Sequence, residues 1–480
     1  MPKEYPKYAF YLLIVAGFSL WVINWWAGRP LFIDEANVAR NLYDRSFSGL
    51  FRPLDHQQYA APLYLVMAKA CGELLGYGEL ALRLPAMLGG GLAALGLWLA
   101  GRTLKLGWWA LLPLALLFVN PYVLRYVGEI KPYAIDLGLA SLLIAFALKN
   151  PQPDGKWLLI GLLAPWVSLP ATFVLAAVGI SSFLRVLINP SAPRAELPQH
   201  NRRSVLKWIG LAVIWLFSFA VLYTLVIQAS IGNQYLHHYH GRYFFPPLSG
   251  EANLLKALGL LYSLPKLAFG FTGLAIVVGI LLAGLGLFKK YSDQKLLLFL
   301  PLLIVTIASY FTLYSLIPRL LLFTLPGWWL LAAIGSKELW EDYSGSPVIK
   351  YGLPLSWVFV LGSTNVARHF LQPMTFSDSR DLVTQISEGY VPVIHRSVQP
   401  AWDYYRRIHP AFKDGLEEEV PATEIEQQTF PGKYVLLYTV LTQQSIRDRL
   451  ETDRIWATER GCKVRTEAMY RAAAVYLDCE

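Results

Sequence analysis

Apolar runs close to twenty residues long recur along this chain, and no other feature narrows its folding as much. In hydrocarbon each backbone N–H and C=O must be satisfied within its own segment, so runs of this length become membrane-spanning helices. About 11 spans are expected, at roughly 8–27, 80–101, 107–124, 133–148, 156–169, 171–188, 206–228, 268–288, 296–316, 320–337 and 350–368. Charged residues are only 16% of the chain, where soluble domains carry about 25%. The first run is expected to remain attached: it exceeds a signal-peptide core, and Asn24-Trp25-Trp26-Ala27-Gly28-Arg29 is a poor cleavage site.

Basic residues set the orientation. Lys3/Lys7, Arg102/Lys105, Lys149/Lys156, Arg194/Arg202/Arg203/Lys207, Lys289/Lys290/Lys295 and Lys337/Lys350 fall in alternate loops. With those loops cytoplasmic, the N-terminus lies inside and the C-terminus outside. The formal charge of +9 is uneven: residues 369–480 hold 13 basic and 17 acidic residues, the remainder 29 and 16. Basic excess in the membrane part suits anionic membrane lipids. Its scatter between spans argues against nucleic acid as a partner.

Every chemically suggestive loop then faces outward. The segment 28–79 carries Asp34-Glu35, Arg40, Asp55-His56 and an amphipathic run beginning at Ala61-Pro62, which Lys69 and Glu73 mark as interfacial and not spanning. Next come Arg125-Tyr-Val-Gly-Glu129-Ile-Lys131-Pro-Tyr133-Ala-Ile-Asp136, the stretch 229–267 with His237-His238-Tyr239-His240-Gly241-Arg242, and the turn at Pro318-Arg319. Asp34-Glu35 is the pair that most needs a reason, since ionised carboxylates are costly at a membrane boundary. One reading makes Asp34 the cap of a short helix over 35–43. The other makes it a catalytic carboxylate facing a membrane-held substrate.

Residues 369–480 change character, with strands expected at 391–394, 434–438 and 472–477 and helices at 377–388, 400–408 and 443–460. The chain therefore reads as an all-α polytopic membrane domain, 1–368, with interfacial helices in its first outer loop, followed by a small α/β extracytoplasmic domain, 369–480. A hairpin of 462–469 and 472–479 would set Cys462 opposite Cys479, so a disulfide there is expected.

Carboxylates beside cations at one membrane face suit chemistry on a lipid phosphate. Cations hold the phosphate and stabilise its charge as it leaves, while a carboxylate takes the proton of an incoming hydroxyl. The histidines His237, His238 and His240, with His56, are expected to form an acceptor-binding or gating loop; their spacing is not a closed metal-ligand set. No divalent metal or other cofactor is called for by a clear ligand set. Without a Gly-rich nucleotide motif, soluble nucleotide donors and ATP-driven transport are poorly supported.

The ordered pieces Ile33-Asp34-Glu35-Ala36, Ala61-Pro62-Leu63-Tyr64, Ala81-Leu82-Arg83-Leu84-Pro85, Asn120-Pro121, Glu129-Ile130-Lys131-Pro132-Tyr133 and Pro318-Arg319-Leu320 resemble the GT-C glycosyltransferases that use polyprenyl-phosphate sugars. The nearest branch is the bacterial protein-mannosyltransferase-like and aminoarabinose-transferase-like group. The resemblance implies an inverting transferase in the plasma membrane, taking a sugar from polyprenyl phosphate to a lipid, glycan or protein acceptor at the outer face. Carried over, Asp34 would be the general base and Glu35 its neighbour in orientation or acceptor binding. Arg83, Arg125, Glu129, Lys131, Tyr133, Arg242 and Arg319 would serve the donor phosphate and substrate. Two departures stand out: Ala60-Ala61 precede Pro62 where many relatives have a histidine, and Leu320 follows Arg319 where tyrosine is frequent. A lipid-linked saccharide flippase is the alternative, and it would place polar residues at the bilayer midplane on broken helices.

Overall fold

A computed structural model of the chain describes residues 7–188, 197–231, 234–289, 292–364, 376–412, 420–421 and 432–480. Lys3, Arg194 and Lys290 lie outside the described residues, as do the side chains of Arg202 and Arg203. The chain is an all-α polytopic membrane protein with a small C-terminal sheet domain. Helix α1 (Lys7–Trp26) rises to the face that carries the site, where α2 (Ile33–Asp44) and α3 (Pro62–Leu75) lie before α4 (Glu79–Thr103) returns. Then follow α5 (Leu111–Val119), α6 (Pro121–Tyr126), α7 (Tyr133–Lys149), α8 (Gly155–Val167), α9 (Ala171–Ile188) and α10 (Leu197–Leu222). Short α11 (Gln228–Ile231) and α12 (Gln234–Gly241) precede α13 (Glu251–Phe269), α14 (Gly273–Phe288), α15 (Asp293–Tyr310), α16 (Leu325–Tyr343) and α17 (Pro347–Gly362).

Five described helices are long and apolar enough to cross a bilayer, and up to six if α13 and α14, bent by 87°, count as one span. The remaining expected spans are shorter helices, interrupted where the sequence demands it. Asn120-Pro121 splits 107–124, Asn120 accepting from the N–H groups of Tyr122 and Val123. Ser168–Pro170 separates α8 from α9, since a proline has no N–H to continue the ladder.

Helices α4 and α7 pack backbone to backbone. A Cβ added at Gly89 would lie 2.5 Å from the Ala134 backbone, and one at Gly96 2.5 Å from that of Ser141. Glycine at both positions lets the two backbones touch, as membrane helices associate through small residues. This contact fixes the start of α7 relative to Arg83 on α4.

Beyond the membrane part, α18 (Ser379–Thr384), α19 (Gln399–Ile408) and α20 (Gln444–Glu459) pack with a five-stranded sheet of order β2-β1-β3-β5-β4. Its strands are β1 (Val391–Ile394), β2 (Val420–Pro421), β3 (Gly432–Thr439), β4 (Lys463–Met469) and β5 (Ala472–Cys479). β1 is parallel to β2 and β3, while β3–β5 and β5–β4 are antiparallel. Met469 pairs with Ala472, and Arg471 takes the left-handed conformation (φ 54°) that closes the turn. Cys462 and Cys479 are joined by a disulfide, 17 residues apart in sequence. The helix expected over 377–388 is shorter than the sequence implied, spanning Ser379–Thr384. One apolar core joins the two regions: Leu31, Tyr64, Leu65 and Ile130 share it with Trp402, Tyr404, Tyr405 and Tyr476.

Candidate functional site

The two adjacent carboxylates have separate fates, because successive residues of a helix point about 100° apart. Phe32 occupies the cap position of α2, with no side-chain cap, and Asp34 sits inside the first turn, so of the two readings the one that makes Asp34 the cap is corrected. Glu35 points inward and is 3% exposed. It accepts from Arg83 Nε and Nη2, both at 3.2 Å, and from the Ile130 N–H at 2.8 Å. Oε2, which takes the Nη2 bond, also accepts from the Phe32 N–H at 3.4 Å, turning the first turn of α2 in on itself. Arg83, 1% exposed, also donates to the Arg29 carbonyl at 2.8 Å. These bonds occupy the Glu35 carboxylate and tie α2, α4 and the loop before α7 together. Glu35 is a strut.

Asp34, half-buried, has no hydrogen bond or ion pair among the described residues. It stands instead in the field of two cations, Lys131 and Arg319. Lys131 donates to Gln58 Oε1 at 2.8 Å. Burial pushes the Lys131 ammonium below its ordinary pKa; Asp34 opposes this, and Arg319 adds to it. A lysine in that position gains from any anion that arrives. Arg319 Nη2 donates to Tyr239 Oη at 3.1 Å, while its buried Nε has no partner among the described residues. Tyr133, first in α7, stands edge-on to Tyr126 at 4.9 Å.

Arg125 and Glu129 pair with each other at 2.7 Å, and the Arg125 guanidinium also lies 4.3 Å over the ring of Phe376. Burial raises the Glu129 carboxyl above its usual range, with Arg125 pulling the other way. The histidines do not act as a group. His240 Nδ1 meets Ser315 Oγ at 2.6 Å beside Arg319, and burial lowers its pKa, with Arg319 adding to the effect. His238 is exposed, and the side chain of His237 lies outside the described residues. His56 is exposed in a left-handed turn, near Arg40 and not against Arg319. Arg242 is exposed, stacked on Tyr239 and Tyr243 at 5.3 and 5.5 Å. Among the described residues, no three His, Cys, Asp or Glu side chains converge as a metal-binding group.

Gln58, Tyr59 and Tyr239 also belong to the site, through Lys131 and Arg319. Tyr239 stood in the sequence between two of the singled-out histidines. Gln58 and Tyr59 carried no signal beyond lying beside His56.

Solved structures share this fold. The chain is similar to ArnT from Cupriavidus metallidurans in the apo state, with a TM-score of 0.55 and 14% identity over 97% of each chain. It is likewise similar to ArnT from Cupriavidus metallidurans bound to undecaprenyl phosphate, with a TM-score of 0.57 and 14% identity over 98% of each chain. The chain has the fold of these ArnT structures. No protein-family model and no curated protein sequence matches it.

Proposed function

We propose that this protein is an inverting glycosyltransferase. It moves a sugar from a polyprenyl-phosphate carrier to a hydroxyl of a lipid, glycan or protein acceptor at the outer face of the plasma membrane, with the C-terminal domain extracytoplasmic. The observation that carries this reading is Asp34, a half-buried carboxylate with no partner among the described residues, in the field of the half-buried cations Lys131 and Arg319. The structural likeness of an ArnT bound to undecaprenyl phosphate supports a lipid phosphate as the anion those cations await. Asp34 takes the acceptor's proton as its oxygen attacks the anomeric carbon, and the bond to the carrier phosphate breaks. Lys131 and Arg319 hold the departing phosphate. That leaving group needs little protonation, so one base and two cations complete the displacement. The charged groups of the site stand at helix starts, Asp34 in the first turn of α2, Lys131 just before α7 and Arg319 in the turn before α16, which favours transfer over transport.

Native mass spectrometry with undecaprenyl phosphate as the probe tests the site. Lys131→Met and Arg319→Met each weaken binding about tenfold or more, the size of a charge-assisted contact, while Asp34→Asn binds as the unaltered protein does. Unchanged binding in both cation variants would remove the phosphate site.

A further inference from the structure

The mechanism leaves one buried group unexplained. Asp136, on α7 and 5% exposed, has an Oδ1 with no hydrogen-bond partner among the described residues. Tyr64 Oη on α3 is also fully buried and unpartnered there, and Ser168 Oγ in the break between α8 and α9 is fully buried. The three belong together. Ser168 stands beside the Asp136 carboxylate, and Tyr64 lies within the field of both Asp136 and Glu35. Tyr64 and Ile135, the neighbour of Asp136, share one apolar core, against which Val167 and Leu169, the neighbours of Ser168, are packed. Tyr59 links this nest to the phosphate cations, being in the field of both Arg319 and Asp136. Buried polar groups are ordinarily partnered, and two left open beside a buried hydroxyl point to something that fills the place.

Resting on the transferase reading, we propose that Asp136, Tyr64 and Ser168 form the subsite for the sugar of the donor lipid, accepting hydrogen bonds from its ring substituents. Asp136 lies three residues beyond Tyr133, so it sits about 4.5 Å further along α7, and Tyr59 lies in the field of both it and the phosphate cation Arg319. A carboxylate flanked by two hydroxyls offers mainly acceptors, and the hydroxyls or amine of a sugar supply the donors. The same groups would be left unpaired by a carrier lacking its sugar, so the nest separates loaded from free carrier.

The experiment is native mass spectrometry of the full-length protein with total lipid extract from cells of its own host as the probe, which avoids naming the sugar in advance. The unaltered protein carries both free polyprenyl phosphate and glycosylated polyprenyl phosphate. Asp136→Asn keeps the shape, retains free polyprenyl phosphate, and lowers the ratio of glycosylated to free carrier about tenfold or more, the scale of a hydrogen bond to a charged group. Tyr64→Phe and Ser168→Ala shift the ratio in the same direction by less. The thermal midpoint of Asp136→Asn is unchanged or raised, since the variant no longer buries an unpaired carboxylate. An unchanged ratio in Asp136→Asn overturns the sugar subsite and leaves the nest to bound water. Absence of any glycosylated carrier on the unaltered protein overturns the transferase reading itself.

Discussion

Asp34 and Glu35 are neighbours that respond in opposite assays. Replacing Glu35 by Gln keeps its volume and removes its charge. Arg83 then stays buried at 1% exposure without its counter-charge, and two charge-assisted bonds at 3.2 Å are lost. Breaking a buried pair by removing one partner costs about 3–5 kcal/mol, most of it the uncompensated charge left behind. Asp34→Asn disturbs no described bond, so its effect on stability stays within about 0.5 kcal/mol, while turnover falls by about a hundredfold or more, the usual cost of losing a general base. Unfolding of the detergent-solubilised protein followed by its 16 tryptophans reads the first quantity. Sugar transfer to endogenous acceptors in membranes reads the second. The double variant Glu35→Met/Arg83→Met removes both charges together and recovers about 1–3 kcal/mol relative to the sum of the single changes. An Asp34→Asn protein with normal turnover, or a Glu35→Gln protein of normal stability and no activity, would refute the division of labour.

Further outcomes concern the C-terminal domain. Replacing Cys462 and Cys479 by Ala opens a bridge closing 17 residues, and this lowers the stability of the sheet by about 3 kcal/mol, read as an earlier unfolding transition; no shift would show that the β4–β5 pairing alone holds the edge. His395 hydrogen-bonds Ser397 at 2.8 Å, and burial, with Arg396 and Arg449, pushes its pKa down to about 4. Below about pH 6.5 the unfolded chain takes up a proton that the folded domain refuses, so stability drops as pH falls from about 6.5 towards 4. Because the ring is partly exposed, screening holds the loss to about 2 kcal/mol. His395→Gln flattens that limb of the stability–pH curve, and an unaltered slope assigns the effect to another group.

Features set by local pattern were legible in the sequence: the apolar runs, the interfacial helix at Pro62, and the polar turn to α/β structure after the membrane part. Within the site, charge type and rough location were legible for Asp34, Lys131 and Arg319. The fate of Glu35 was not, because its partner Arg83 lies 48 residues away and its other ligand is the Ile130 backbone N–H. Tyr239 reaches Arg319 across 80 residues, and Lys131 meets Gln58 across 73. Such pairings depend on which helices share a face, and the spacing of residues along one helix says nothing of that. The histidine cluster misled for the same reason: close in sequence, its described members diverge once α12 directs His240 to Ser315 and leaves His238 exposed.

The C-terminal domain reaches α2 through the backbone three residues before Asp34. The Leu31 N–H donates to Tyr405 Oη at 2.8 Å, and the Leu31 carbonyl accepts from Ser379 Oγ at 2.9 Å. Tyr405 Oη donates in turn to Glu79 at 2.8 Å, and Glu79 is paired with Arg380 at 3.0 Å. Arg40, on α2, meets Asp403 of α19 at 2.7 Å, and Arg407 pairs with Asp44 at the far end of α2. Helix α2 is thus gripped at its start, its middle and its end by the C-terminal domain, while Glu35 pins it to α4. A base that must meet an acceptor hydroxyl within hydrogen-bond reach gains rate from being held, since misplacement by about 1 Å costs on the order of a hundredfold. The same contacts make the position of Asp34 depend on the C-terminal domain, so anything that shifts α19 moves the carboxylate relative to Lys131 and Arg319.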